Sequence, residues 1–306
     1  MKQPKAGRII VLGRISTALT VLVESAPKPK EQIIAKSAAY TPGGKGANQA
    51  VAASRLGGKV SFVTCLGMDH LSKELLSFLK RERLDTSLVK FSKKTPAGMS
   101  IVMLDKNSDN TIISIPGSEN DLLPDDVRSI NFTNQDIAVS QFALPEDVVY
   151  VFIKKAKDSG ATTVLNTAPR VKYGRKIFEL SDYVIANESE AAFFVGSSKV
   201  SQDHNIALGY AKKLRLRHEQ TVVVTLGGNG SITLSGNDSI RVPGIKVNVV
   251  DTQGAGDTFV GAFATALSER MKLKEAIEFA NKAASISVQR HGAASSCPTR
   301  KEVEKI

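Results

Sequence analysis

The sequence has no tryptophan, few other aromatic residues, only two cysteines and no long apolar run. Cys65 and Cys297 form no metal-binding motif, and two cysteines in a chain of 306 residues are more typical of small buried or loop residues than of a disulfide. No stretch reaches the roughly 18 apolar residues of a membrane span, and residues 1–7 lack the apolar stretch of a signal peptide. We therefore expect a cytoplasmic protein without a zinc site or a membrane partner.

Acidic residues are in a minority, which gives the chain a formal net charge of +11. The basic clusters at residues 80–83 and 212–217 lie on predicted amphipathic helices, where such clusters usually form a solvated face. Nucleic-acid binding would also call for aromatic side chains among the charges, and these are scarce. We expect no nucleic-acid partner and interpret the positive field as an attraction for an anionic nucleotide.

Short apolar runs alternate with segments of helical periodicity along most of the chain. The runs lie at residues 8–13, 60–65, 137–141, 162–166, 183–186 and 221–226, and the helical segments include residues 46–56, 72–83, 146–159 and 205–217. This alternation predicts an α/β fold with a doubly wound, mostly parallel sheet and helices on both faces. Because no linker interrupts the pattern, we expect one domain over residues 1–306.

Two stretches break the alternation. Residues 31–40, and residues 98–104 followed by 111–115 around a turn at 107–110, alternate like exposed antiparallel strands. We interpret them as a small β-sheet lid, contributed by about residues 14–42 and 97–117. A lid of this kind would exclude water from a site beneath it.

The run DTQGAGDTF at residues 251–259 lies between a predicted strand end at 247–250 and a predicted buried helix at 259–267. Gly254, Ala255 and Gly256 can aim consecutive backbone N–H groups at one point, where the helix dipole adds to them, and such a nest suits a phosphate. A carboxylate there would repel a phosphate, so Asp257 fits a proton acceptor for the attacking nucleophile. The alternative is a strand–helix connection with Asp257 as N-cap, and the run alone does not decide.

The run TPGGKGANQA at residues 41–50 is a second glycine-rich turn that opens a helix. It is not the P-loop of nucleotide-binding proteins, because Lys45 is followed by Gly46 and no hydroxyl residue is available for magnesium. A polyol is a better guest, since Lys45 and Asn48 supply donors and an acceptor in fixed directions. The alternative is a turn that only packs helix against sheet.

Polar residues also follow two of the predicted strands. Asn187 and Glu190 come after the strand at 183–186, and Thr225 begins a glycine-rich stretch after the strand at 221–226. Ligands of open α/β sheets bind at these carboxyl ends. The alternatives are a capping Asn with acidic first-turn residues and a simple glycine hairpin.

Together, the runs at 43–50, 187–190, 225–227 and 251–257 resemble the ribokinase-like (PfkB) carbohydrate kinases, most closely the ribokinase branch, in order and separation over nearly the whole chain. The sequences GGKGANQA and DTQGAGDTF match the two specific signatures of that family. The resemblance implies ATP-dependent transfer of the γ-phosphoryl group to a primary hydroxyl of a small sugar, D-ribose giving D-ribose 5-phosphate. It also implies a lid that makes the contact of a homodimer.

The same resemblance implies a role for each matching residue. Asp257 would be the base, with Gly254, Ala255 and Gly256 as the anion hole; Ser16, Gly44, Lys45, Gly46 and Asn48 would bind the sugar together with Asp257. Asn187 and Glu190 would organise phosphates and Mg²⁺, partly through water, and Thr225, Gly227, Gly230, Gly256 and Asn281 would line the nucleotide site. A monovalent cation, K⁺, would lie near Asp251, Gln253, Ser287, Arg290, Gly292 and Ser296, several of them acting through backbone carbonyls.

Three positions depart from the family pattern. Ser16 and Ala18 replace the Asn and Asp that grip sugar hydroxyls, and Ala143 replaces a sugar-contacting Glu. If each charge-assisted hydrogen bond contributes about 1.5–3 kcal/mol, losing two carboxylates would weaken ribose binding by roughly two to four powers of ten. Two alternatives therefore stay open: a kinase for a deoxy sugar or nucleoside, or a nucleotide-binding protein of this fold that has lost its sugar affinity.

Overall fold

The computed structural model describes residues 6–105 and 110–306. The strands in this part of the chain are β1 Arg8–Leu12, β2 Ser16–Leu22, β3 Ser37–Gly43, β4 Lys59–Leu66, β5 Val89–Phe91, β6 Met99–Leu104, β7 Asn110–Ile115, β8 Ile137–Gln141, β9 Thr162–Asn166, β10 Tyr183–Asn187, β11 Thr221–Thr225, β12 Ser231–Ser235 and β13 Asp238–Val242. The helices are α1 Lys45–Arg55, α2 His70–Arg81, α3 Pro124–Arg128, α4 Glu146–Asp158, α5 Arg175–Leu180, α6 Glu188–Phe194, α7 His204–Leu214, α8 Ala255–Ser268, α9 Leu273–Ser287 and α10 Arg300–Val303.

The main sheet has the strand order β13-β12-β11-β10-β9-β8-β1-β4-β5. Strands β11, β10, β9, β8, β1, β4 and β5 run parallel, and β12 and β13 add an antiparallel edge. The strand order reverses its direction of growth between β1 and β8, as it does in doubly wound sheets. The predicted fold class is confirmed.

The side chains of β1, an inner strand of the main sheet, pack alternately into the hydrophobic cores on its two faces. In β1, Ile9 and Val11 join a core formed with α1, α2, α8 and α9, whereas Ile10 and Leu12 join a core formed with α3, α4, α6 and α7. Because both faces are covered, the parallel strands are apolar throughout rather than alternating, which is why the sequence shows them as continuous runs.

The smaller sheet has the order β3-β2-β6-β7. It confirms the predicted lid but differs in two respects: β2 and β6 are parallel, and residues 31–36 are not a strand, since β3 begins only at Ser37. Three neighbouring charges at Lys28, Lys30 and Glu31 favour solvated chain there. Most of the predicted turn at 107–110 lies outside the described residues.

The expected strand end at residues 247–250 is wrong. This segment is irregular, and the backbone N–H groups of Val250 and Asp251 both donate to the carbonyl oxygen of Val288, at 2.7 and 3.1 Å. The chain before α8 is therefore anchored to the loop after α9 instead of to a neighbouring strand. The two cysteines are free and buried, as expected. Across the described ranges, no helix has the length and apolar character to cross a membrane.

Candidate active site

A cavity of about 180 Å³ opens at the carboxyl edge of the main sheet. Its wall is formed by strand ends, by the first turns of α1, α6 and α8, and by the turn before α8. The lining residues are Lys45, Asn166, Ala168, Ile185, Ala186, Asn187, Glu190, Thr225, Thr252, Gly254, Gly256 and Asp257. The structure thus brings residues from four separate sequence motifs to one cavity, which no single motif could establish.

The turn that begins α8 depends on two glycines for different reasons. Gly254 is the N-cap with φ of 74°, and a Cβ there would lie 2.8 Å from the Cα of Ala293. A Cβ on Gly256 would meet no atom within 4 Å, so the missing side chain leaves space at the cavity wall. Gly254 is needed for the backbone conformation, and Gly256 keeps room for a ligand.

The N–H groups of this turn are only partly free. The Ala255 N–H lies 3.4 Å from the carbonyl oxygen of Thr252, and the Thr258 N–H donates to Gly254 at 2.7 Å. The N–H groups of Gly256 and Asp257 find no such partner in the described chain, as is usual in the first turn of a helix. The Gly254 N–H is likewise without such a partner in that part of the chain, so the anion hole of Gly254, Ala255 and Gly256 stays a prediction, with the Asp257 N–H as a further donor beside it.

Asp257 is buried, with 6% of its surface exposed, and does not cap its own helix. Its Oδ2 accepts a hydrogen bond from Asn48 Nδ2 at 2.9 Å, and its Oδ1 accepts one from Gln49 Nε2 at 3.0 Å. The alternative reading of Asp257 as an N-cap is therefore wrong. Two neutral amides hold this carboxylate at the cavity wall.

Asn187 and Glu190 form a capping box at the start of α6. Asn187 Oδ1 accepts from the Glu190 N–H at 2.8 Å, and Glu190 Oε2 accepts from the Asn187 N–H and from Thr167 Oγ1, both at 3.1 Å. Burial raises the pKa of Glu190, although these donors and the nearby Lys45 oppose the shift. The start of α6 is thus both capped by these two residues and part of the cavity wall.

The turn before α1 places Lys45 on the cavity wall. Gly44 is the N-cap with φ of 102°, and a Cβ there would lie 2.6 Å from the carbonyl oxygen of Arg14. Gly46 is packed against Gly13, where a Cβ would lie 2.5 Å from the Gly13 Cα, so this glycine serves the packing of helix on sheet. Asn48, also in α1, keeps a buried Oδ1 without a hydrogen-bond partner.

Ser16 is buried at the start of β2 and pairs with Gly43 across the lid sheet. Ala18 and Ala143 are half-buried. Ala18 lies between Thr41 and Ser100 in the lid, so hydroxyl-bearing neighbours surround the position where the family carries a carboxylate.

The expected nucleotide residues divide into two groups. Asn187, Glu190, Thr225 and Gly256 line the cavity, whereas Gly227, Gly230 and Asn281 do not. A Cβ on Gly230 would lie 2.1 Å from the carbonyl oxygen of Val242, so Gly230 allows the close approach of the β12 hairpin. Asn281, on α9, lies 3.4 Å from Ser231 Oγ beside that hairpin.

The six expected potassium residues converge on two adjoining loops. Asp251 Oδ2 accepts from the Gly292 N–H at 2.8 Å, and its Oδ1 accepts from the Gln253 N–H at 2.9 Å. Ser287 and Ser296 are buried and donate to the carbonyls of Ala284 and Ala293. The Arg290 guanidinium pairs with Glu302. Because a guanidinium is positively charged and has no acceptor atom, Arg290 could offer a cation only its carbonyl oxygen.

Four contributors to this site were not predicted from the sequence: Gln49, Gln141, Asn166 and Thr167. Gln141 Nε2 donates to Gln49 Oε1 at 2.7 Å, and Gln49 Nε2 also lies 3.2 Å from Asn166 Oδ1. The one available signal was the position of Gln141 and Asn166 as polar last residues of apolar strands, where ligands of α/β sheets bind.

Comparison with known proteins decides the family. The profile described as pfkB family carbohydrate kinase matches residues 6–300. This chain belongs to that family. It is therefore a carbohydrate kinase, a phosphotransferase with an alcohol group as acceptor, and membership implies ATP and a divalent cation as its cofactors.

Individual relatives of this kinase are ribokinases. The chain is 35% identical to the ribokinase of Haemophilus influenzae over 96% of both chains, and 34% identical to that of Bacillus subtilis over 97% of this chain and 98% of the relative. Among solved structures, Arabidopsis thaliana ribokinase complexed with ribose and ATP superposes with a TM-score of 0.85 at 30% identity, covering 98% of each chain. The ribokinase branch suggested by the sequence motifs is thus confirmed.

Proposed function

We propose that residues 1–306 form one ribokinase-type domain that transfers the γ-phosphoryl group of ATP to the primary hydroxyl of D-ribose. The observation that carries this proposal is the buried carboxylate of Asp257 beside the open face of Gly256. A sugar hydroxyl at this wall would lie between a proton acceptor and the N-terminus of α8, which attracts a phosphoryl group. Asn48 Oδ1, buried and unpartnered, is an acceptor suited to a second hydroxyl.

Asn187 and Glu190 are the residues proposed to organise Mg²⁺ and the phosphates. Both Glu190 oxygens already accept hydrogen bonds from Asn187 or Thr167, so this carboxylate suits contact through the ion's water ligands. When bound, the ion would neutralise charge on the phosphates. Lys45, which lines the same cavity and lies close enough to Glu190 to interact with its charge, supplies a second positive charge.

A monovalent cation such as K⁺ fits the loops at 251–253 and 287–296. These loops offer the oxygen atoms of a carboxylate, two hydroxyls and backbone carbonyls, which are the ligands that hard cations take. Gly254 packs against Ala293, so the turn before α8 rests directly on this loop. A cation there would hold the turn in its anion-binding shape.

We further propose a cytoplasmic homodimer that joins through the lid. Leu19, Tyr40, Ile101 and Ile113 are cross-strand neighbours on one face of the lid sheet. Tyr40 is 65% exposed and Ile113 is 50% exposed, so this row is an apolar surface without cover in one chain. We expect Ile113→Glu to convert a dimer into a monomer in sedimentation experiments.

An acceptor panel tests the activity. ADP release from ATP is measured with ribose, deoxyribose, fructose, adenosine and other nucleosides, with and without potassium, and Asp257→Asn serves as the blank. Saturable turnover on ribose at millimolar concentration is expected, and the blank should lose at least about a hundredfold in kcat. Turnover on another acceptor alone would replace ribose, and nucleotide binding without acceptor-dependent turnover would contradict the kinase assignment.

A further inference from the structure

Behind Asp257 lies a chain of buried amides that does not reach the cavity. Gln49 and Gln141 are both fully buried, at 0% exposure. Gln141 Nε2 donates to Gln49 Oε1 at 2.7 Å, and Gln49 Nε2 donates to Asp257 Oδ1 at 3.0 Å. Burying two amide side chains is costly unless they are hydrogen-bonded, and an apolar pair of similar volume would fill the same space.

These hydrogen bonds fix the orientation of the Gln49 side-chain amide. Since Gln141 donates to the Gln49 oxygen, the Gln49 amide must present its N–H₂ group to Asp257. The reversed amide would place its carbonyl oxygen against the carboxylate. Asn166 favours the same orientation, because its Oδ1 accepts from Gln49 Nε2 at 3.2 Å while its Nδ2 donates to the carbonyl oxygen of Ile185. Gln141 and Asn166 together therefore determine which end of Gln49 meets Asp257.

We propose that Gln49, oriented by Gln141 and Asn166, is a positioning residue that holds the Asp257 carboxylate ready to accept the proton of the sugar hydroxyl. This inference rests on the proposed function of Asp257 as the base. Gln49 and Asn48 each donate to a different oxygen of the carboxylate, which fixes its plane while leaving further lone pairs for a substrate. Gln49 acts through Asp257.

Other charged or titratable groups around Asp257 do not replace this arrangement. Glu190, on α6, repels the carboxylate, and Lys45, on α1, lines the same cavity. The Cys297 thiol, in the loop after α9, is buried among apolar groups, which raises its pKa to about 11. Loss of the Gln49 N–H₂ group would therefore leave the carboxylate opposed by Glu190 and bonded by Asn48.

Direct titration of the Asp257 carboxyl tests this role without an acceptor. The protein is labelled with ¹³C at the aspartate side-chain carboxyl carbons, and the Asp257 resonance is assigned by its loss in Asp257→Asn. We expect Gln49→Met to move protonation of this carboxyl to higher pH, because the ionised form loses a donor. Gln141→Glu should do likewise by turning the Gln49 amide around, and Gln141→Leu should have a smaller effect.

Gln220 provides a matched control. It is also fully buried, and its Nε2 donates to the carbonyls of Phe178 and Ser181, far from Asp257 in the fold. Gln220→Met should destabilise the fold as Gln49→Met does, measured by thermal unfolding, without moving the Asp257 titration.

Kinetics give the second readout. In single-turnover experiments with ATP and ribose, Gln49→Met should lower the rate about ten- to a hundredfold, while the KM for ATP from steady-state kinetics changes less than about threefold. An unmoved titration in both Gln49→Met and Gln141→Glu would overturn the positioning role. If the titration moves but the unmodified protein never phosphorylates a sugar, positioning stands and the proposed function fails.

Discussion

The turn that begins α8 and the junction between lid and main sheet each remove a carboxylate from water, but they do so in different ways. At α8, the Asp257 carboxylate is held by the neutral amides of Asn48 and Gln49. At the junction, Glu119 is buried at 1% exposure, and its Oε1 lies 2.8 Å from Arg14 Nε. A carboxylate held by neutral amides has no opposite charge beside it and keeps lone pairs free for a ligand. A carboxylate held by a guanidinium has that charge neutralised and serves structure.

The location of the second pair explains its structural role. Arg14 lies between β1 and β2, where the chain leaves the main sheet, and also donates to the carbonyl oxygen of Ile115 at the end of β7. A Cβ on Gly98, beside the start of β6, would lie 2.6 Å from Glu119 Oε1. The ion pair thus gathers three of the chain segments that connect the lid to the main sheet.

The largest expected effect comes from separating this pair. Glu119→Met leaves the half-buried Arg14 guanidinium without its carboxylate, which should cost up to about 3 kcal/mol of unfolding free energy. Arg14→Met/Glu119→Met should recover most of that loss, as measured by urea unfolding. The exposed pair Arg128–Asp125 is the control, since Asp125→Asn should cost less than about 0.5 kcal/mol. Equal costs at both pairs would show that the junction is not specially stabilised.

The next largest effect tests the α8 turn. Gly256→Ala adds a methyl group where no atom lies within 4 Å, so it should stabilise the helix by up to about 1 kcal/mol yet lower kcat roughly a hundredfold. Gly209→Ala is a matched change, because Gly209 also lies within a helix with open space at its Cβ position. It should give the gain in stability with unchanged kcat. Unchanged kcat in Gly256→Ala as well would remove Gly256 from the phosphoryl site.

The same contrast explains what the sequence could predict. Apolar runs are local patterns: β1 was predicted at 8–13 and lies at Arg8–Leu12, and the buried helix predicted at 259–267 is present, although α8 begins four residues earlier, at Ala255. Contacts between distant residues were not predicted: Gln49 lies 92 residues from Gln141 and 208 from Asp257. Nothing in the local sequence distinguishes a buried glutamine from an exposed one. Asn187 shows what a local pattern can predict: it caps α6 and also lines the cavity, as its position after an apolar strand indicated.

A smaller effect concerns acceptor recognition at the lid. If the missing carboxylate at position 18 limits ribose affinity, Ala18→Asp should lower KM for ribose about ten- to a hundredfold, the value of one charge-assisted hydrogen bond. Steady-state kinetics with ribose measure this change. Thr20→Asp adds the same charge two residues further along β2 and should give no such gain. Weaker or unchanged ribose binding in Ala18→Asp would mean that the lid recognises its acceptor through the surrounding hydroxyls.

The smallest effect is a pH dependence at Glu190. Burial raises the folded-state pKa of Glu190 above its unfolded value near 4.5, so its contribution favours the folded state at low pH and is lost as pH rises through the folded pKa. Glu190→Gln removes the ionisable carboxyl and therefore this loss of stability at higher pH. Relative to the unmodified protein, its stability should therefore improve as the pH rises from 4.5 to 8, as measured by urea unfolding at each pH. The neighbouring Glu188→Gln is the control and should show no such improvement. A constant difference across this range would mean that the capping box, rather than burial of the charge, governs the energetics of this helix start.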